Sequence, residues 1–237
     1  MALPKIETPS YTMVLPSREG EIKFRPFTVK EEKILMMAQE TGEQKDIVMA
    51  MSDVIESCTY GELKCKDLPI FDLEYIFLQL RAKSVGEIAK IKVLCPDDMK
   101  TYTEVEVDLT EVDVHVDDSH KNEIVIDEKR KLGVVFNYPT LSTYNVSKNI
   151  DDVKTQDIFN IIYACVDHIY EGDKIYPGKD STLEEKKEFF DSINQNNLVD
   201  IRKFFDTLPT VKYEVEIENP KTKVKNTVTL RGLQDFF

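Results

Sequence analysis

The spacing of apolar residues switches along this chain between a period of two and one of three to four, and each switch marks an expected element boundary. Tyr11–Leu15 and Glu21–Arg25 are short stretches separated by Pro16, Ser17, Arg18, Glu19 and Gly20. The second alternates Ile22 and Phe24 with charges, which predicts a β-hairpin. Thr28 followed by Glu31 has the spacing of a capping box, and Ile34, Leu35, Met37 and Ala38 continue it as a helix over about 29–40. Beyond Gly42, residues Ile47, Val48, Met51, Val54 and Ile55 predict a second helix ending near Cys58. A third starts at Pro69, where a missing N–H costs nothing, and runs to about Ala82.

Alternation then takes over. Ile88–Leu94 and Tyr102, Val105, Val107 and Leu109 flank a turn at Cys95–Lys100, giving a second hairpin, and Val112, Val114, Val116, Ile124, Ile126, Leu132, Val134 and Phe136 extend the β pattern. Helical spacing returns after Pro139. Ile158 to Ile169 reads as one helix, apolar over enough of its circumference to be central to a core, with further helices at about Leu183–Ile193 and Leu198–Leu208. Val211–Ile217 and Thr227–Leu230 predict a closing hairpin through Asn219, Pro220 and Lys221, before a final Gly-Leu-Gln-Asp-Phe-Phe. The expected fold class is α+β, in three segments: a hairpin with three helices over 1–87, a β-rich acidic segment over 88–137, and a helical region closed by a hairpin over 138–237, the last alternatively continuous with the first.

With 237 residues and 41% hydrophobic composition the chain buries a core without covalent help. Its four cysteines, Cys58, Cys65, Cys95 and Cys165, are scattered, and neither a signal-like start nor a membrane-length apolar run is evident, so a reducing cytosolic setting is expected. The 31 basic and 44 acidic residues leave a net charge of −13, which repels nucleic acid and anionic lipid, so the expected partners are proteins. From Asp97 to Glu128, twelve acidic residues face only Lys100 and Lys121, a net of −10. Asp113, Asp117 and Asp118 in this stretch are candidates for docking on a basic partner, although a solvated strand face that discourages edge pairing is the favoured account of the charge.

Candidate chemistry is sparse. The eight glycines form no phosphate-cradling loop, and the three histidines fall in no metalloprotease helix or nucleophile elbow. Cys58 and Cys65 lie seven apart and Cys95 stands alone, which does not make the two close pairs of a structural zinc site. His115, Asp117, Asp118 and His120 read as a polar loop rather than a cation site, because alternation puts His115 and Asp118 on opposite faces. Cys165 and His168, one turn apart on the expected helix, read as packed residues rather than a nucleophile pair. No cofactor, metal or catalytic residue is therefore expected, and a carboxylate pair hidden among the 44 acids is the one route left to a hydrolase.

Four stretches carry a resemblance: LPKIETPSYTMVLPSREGEIKFRPFTVKEEKILMMA, LRAKSVGE, LCPDDMKTYTEVEVDL and the terminal GLQDFF. Together they resemble the baseplate hub proteins of T-even-type contractile-tailed phages, most specifically in Lys23–Phe27 leading into Val29–Lys33. The similarity runs nearly end to end and is least distinctive over about 110–200. It implies a structural or assembly role, made in the host cytoplasm, with other baseplate or hub proteins as partners and copies of the chain itself in a ring among them. It also implies, for some members, paired cysteines at the tip where this chain has Cys95, Pro96, Asp97 and Asp98; the second cysteine is missing here, so that hairpin is expected to hold by packing. The competing expectation is a tail-associated cell-wall hydrolase. Leu233, Phe236 and Phe237 complete the candidate partner residues: three apolar side chains after Gly232 either close the chain's own core or insert in a neighbour.

Overall fold

A computed structural model describes residues 6–144 and 155–236. In chain order the strands and helices are β1 (Tyr11–Val14), β2 (Glu21–Phe24), α1 (Val29–Thr41), α2 (Gln44–Cys58), α3 (Ile70–Ser84), β3 (Ile88–Leu94), β4 (Tyr102–Asp108) and β5 (Asp113–His115). They continue with β6 (Glu123–Asp127), β7 (Leu132–Phe136), α4 (Leu141–Tyr144), α5 (Thr155–Ala164), β8 (Val166–Glu171), β9 (Lys174–Pro177), α6 (Leu183–Asp191), α7 (Gln195–Asp206), β10 (Thr210–Glu218) and β11 (Lys225–Arg231). The architecture is α+β with antiparallel sheets throughout the described residues. It divides into two compact units, residues 1–115 with 210–237, and residues 116–209. The β-rich stretch of the sequence is thereby shared out: β3 to β5 belong to the first unit, β6 and β7 to the second.

The first unit is organised around α3. Phe71, Leu73, Ile76, Phe77, Leu78, Leu80 and Ala82 are all buried, so the helix is enclosed over much of its circumference and not along one stripe alone. The inward positions of β3, Ala89, Ile91 and Val93, join Val107 of β4, Val211 and Ile217 of β10, Leu230 of β11 and Phe236 in one cluster with Leu78 and Ala82. Outward positions carry cross-strand charges such as Lys90 opposite Glu106. β10 is the centre of a three-stranded sheet in the order β11-β10-β5, so the chain's return at residue 210 pairs with the strand it left at His115.

The start of α1 follows its sequence signal. Glu31 Oε2 accepts from the Thr28 amide at 2.9 Å and the Thr28 hydroxyl at 2.6 Å, while Gly42, at a φ of 70°, ends the helix in the left-handed conformation that favours glycine. Glu31 also takes a hydrogen bond from Arg25 Nη2 at 2.9 Å and from Ser57 Oγ at 3.3 Å, tying the end of β2 to α1 and α2.

The second unit is a sheet in the order β6-β7-β8-β9 with helices packed on it. Phe136, Phe204, Phe190 and Tyr163 form its aromatic interior, with Phe136 and Phe204 stacked at 5.2 Å. The helix expected over 158–169 ends at Ala164; Val166 to Glu171 is a strand, with Ile169 opposite Val134 and His168 opposite Val135. Val166 and Ile169, three residues apart, suit a helical period, and only the partner strands β7 and β9, which take up the backbone groups, decide it. Gly178, just past the end of β9, lies against the Val166 and Asp167 carbonyls at the start of β8, an approach no side chain permits.

Candidate interaction surfaces

The cysteines and histidines weighed in the sequence fall in different settings. All four cysteines are buried and unpaired. Burial pushes the Cys58 thiol up to about 11 and those of Cys65 and Cys165 up to about 12, so none is a thiolate near neutral pH. Cys165 follows the last residue of α5 and His168 lies on β8, with Nδ1 at 2.7 Å from Asp167 Oδ2, so the two do not share a helix turn. His115 is exposed on β5, whereas His120 stacks on Phe204 at 5.2 Å and on Tyr138 at 5.7 Å, with Nδ1 at 2.9 Å from Thr207 Oγ1. Among the described residues no three His, Cys, Asp or Glu side chains gather as a metal set.

Two carboxyl groups of α3 have pKa values raised by burial, and both already hold backbone. Asp72 accepts from the amide and hydroxyl of Ser17 in the turn between β1 and β2, and Glu74 accepts from the Leu233 amide at 3.2 Å. Successive contacts of this kind fasten the first hairpin and the C-terminal turn to the same helix.

The predicted partner residues fall in different settings. Asp113, Asp117 and Asp118 are exposed; Asp113 belongs to the first unit and the other two to the second. The Asp117 carboxylate accepts from the Ser119 amide at 2.8 Å and hydroxyl at 2.6 Å. Leu233 and Phe236 lie in a 3-10 turn, Leu233–Phe236, where Phe236 is 1% exposed within the core of the first unit and Leu233 packs against that core half-buried. Phe237 lies outside the described residues.

One constellation was not read from the sequence. Asp97, at the tip between β3 and β4, accepts from Asn219 Nδ2 at 3.0 Å on both oxygens, from Thr222 Oγ1 at 2.5 Å and from Asn226 Nδ2 at 3.0 Å. The hydrogen bonds from Thr222 and Asn219 hold its carboxyl below the usual carboxylate range. Asn219 is fully buried, and its Oδ1 accepts from the Lys221 and Thr222 amides, so it fixes the β10–β11 turn and joins it to the other tip. Asp98 closes its own turn through the Lys100 and Thr101 amides. Each turn contains one non-glycine in the left-handed region, Met99 at φ 51° and Lys223 at φ 63°, a conformation that costs an ordinary residue about 1 kcal/mol. The Asn219-Pro220 dipeptide signals a turn in the sequence, but nothing local signals a partner 122 residues away.

A search of curated proteins and one of solved structures returned no significant match. The sequence of this α+β chain, which folds as two compact units, is matched nearly end to end by one sequence-family model, and that model describes bacteriophage base plate proteins. The chain belongs to the T4 bacteriophage base plate protein family, whose model matches residues 8–237.

Proposed function

We propose that the protein is a non-enzymatic structural or assembly component of the baseplate hub, acting through contacts with other baseplate proteins, copies of itself in a ring among them. The match over residues 8–237 carries this reading. Protonated, buried thiols and α3 carboxyl groups already committed to backbone amides support it, because the groups best suited to catalysis are occupied in holding the fold. In this reading the chain is made in the host cytoplasm, takes its place in the tail, and uses neither nucleic acid nor membrane. Among the described residues no helix is long and apolar enough to cross a bilayer. The exposed Asp113, Asp117 and Asp118 add on-rate and salt sensitivity to its contacts rather than most of the affinity, since such charges are screened within roughly 8–10 Å at ordinary salt. For the C-terminal group, the burial of Phe236 supports closure of the chain's own core.

Mass spectrometry of purified virions and of tail-assembly intermediates tests the proposal. Presence in virions is expected of a structural component, and presence only in intermediates of an assembly factor. Cleavage of purified peptidoglycan by the isolated chain makes it a tail-associated hydrolase and overturns the non-enzymatic reading.

A further inference from the structure

Helix α1 turns its large apolar side chains away from the fold. Glu31 and Ala38 are its buried residues, whereas Val29 is 64% exposed, Met36 55% and Met37 67%. A surface helix ordinarily faces the core with its apolar stripe and water with its charges. Val29, Lys33, Met36, Met37 and Glu40 recur at intervals of three, four and seven residues, so they share one side of the helix, opposite Glu31 and Ala38. All five are exposed.

The charges of this side are separated by sign along the axis. Lys30 and Lys33 belong to the first half of α1, Glu40 to its last turn and Glu43 to the cap of α2. Among the described residues none of the four has an ion-pair partner. Glu31 is held by Arg25 and Thr28, and Glu32 projects about a quarter turn to the side of this face. Glu40 stands at the negative end of the helix dipole, where no basic residue of the last turn offsets it, so an isolated helix gains nothing from its placement. A second copy supplies what is missing. The midpoint between Lys33 and Glu40 falls between Met36 and Met37, with each charge about 5 Å from it along the axis. Two α1 helices antiparallel about a twofold axis at that midpoint set Lys33 of each copy level with Glu40 of the other, and Lys30 level with Glu43. Met36 then meets Met36 and Met37 meets Met37, where flexible thioethers adapt to one another, and each dipole runs against the other. A twofold contact requires this kind of self-complementarity.

We propose that the outward side of α1 binds a second copy of the chain, helix against antiparallel helix, with two Lys33–Glu40 pairs flanking a centre of Met36 and Met37. This specifies how the copies named among the partners above meet, and it rests on that reading for its place in the baseplate. A twofold contact closes at two chains, so a ring would need a further patch. One helix from each copy buries less than the roughly 1,600 Å² of a stable complex, which sets a dissociation constant on the order of 100 μM; the pair is then populated where assembly holds copies close together.

The test is sedimentation velocity of the full chain from about 10 μM to about 1 mM, where a concentration-dependent dimer is expected. Lys33→Glu and Glu40→Lys each set like charges level at two points and are expected to weaken the dimer roughly tenfold or more. An equimolar mixture of the two variants, and the K33E/E40K chain, should both regain it, because opposite charges again stand level. Both side chains are exposed, so the variants keep the fold, which circular dichroism checks. Carbodiimide coupling in a mixture of isotopically labelled and unlabelled chains is expected to join Lys33 of one copy to Glu40 of the other. A chain that stays monomeric throughout, a dimer indifferent to both single substitutions, or a mixture that associates no more tightly than either variant alone overturns the proposal. A monomeric chain whose Met36 and Met37 are shielded from oxidation in purified tails makes the occupant a different protein, and also overturns it. A monomeric chain present in tails keeps the baseplate reading and removes only this inference; the dimer formed by a chain absent from tails and assembly intermediates upholds this contact and removes that reading.

Discussion

Replacing Glu31 by glutamine removes one charge from a side chain that is 2% exposed and holds three parts of the first unit together. Burial alone raises a carboxyl pKa, and it is the largest single influence on Glu31. The hydrogen bonds from Arg25 and Thr28 together outweigh it, and the pKa falls from 4.5 to about 2. That difference corresponds to roughly 3 kcal/mol of preference for the charged form in the folded chain. The amide introduced in its place would turn a donor toward groups that are themselves donors, and leave the Arg25 guanidinium, 19% exposed, without its countercharge. We expect Glu31→Gln to destabilise the first unit by about 2–4 kcal/mol at pH 7. The sign with pH follows from the depressed value. The unfolded carboxylate titrates near 4.5 and the folded one near 2, so the contribution is complete above the first, and is lost as pH falls toward the second. Glutamine does not titrate, and the gap between the two proteins should therefore close between about pH 5 and pH 2. Urea unfolding followed by circular dichroism, with hydrogen exchange at α1 to assign the change to this unit, measures both. A gap below about 1 kcal/mol at pH 7, or one that stays constant down to about pH 2.5, refutes the reasoning.

Phe236→Ala is expected to cost about 3–5 kcal/mol and lower the melting temperature of the isolated chain, because the ring is inside its own core; an unchanged melt with failed assembly would instead favour insertion in a neighbour. Gly178→Ala should destabilise the second unit by about 3 kcal/mol or more, and by more than Gly133→Ala, since the added methyl meets the Val166 backbone carbonyl at the first site and the Tyr170 side chain at the second; denaturant midpoints compare them. Burial lowers the pKa of His120 against the smaller opposing effect of Asp117, so its contribution is present above the ordinary value of 6.5 and lost as pH falls below it. His120→Phe should flatten the decline in stability between about pH 7 and pH 5, and a decline equal to that of the unsubstituted chain would show that His120 is not its source.

Local signals were sufficient wherever an element's period was unambiguous. Thr28 and Glu31 place the start of α1, Gly42 its end, and the Cys95–Lys100 turn between two alternating runs gives β3 and β4, because capping, left-handed turns and two-residue alternation act over a few residues. The α+β class follows from these elements. Tertiary structure decided what depends on distant partners. Val166 to Glu171 became a strand because β7 and β9 flank it, although its apolar spacing suits the end of α5 as well. α3 became the enclosed helix of the first unit because the β3–β4 hairpin and the C-terminal β10–β11 strands converge on it. The β-rich stretch was divided between two units because β5 pairs with β10, 95 residues further on by the register of Thr210 with His115. The tie from Asp97 to Asn219 likewise needs the two hairpins brought side by side, and no pattern within either hairpin encodes that neighbour.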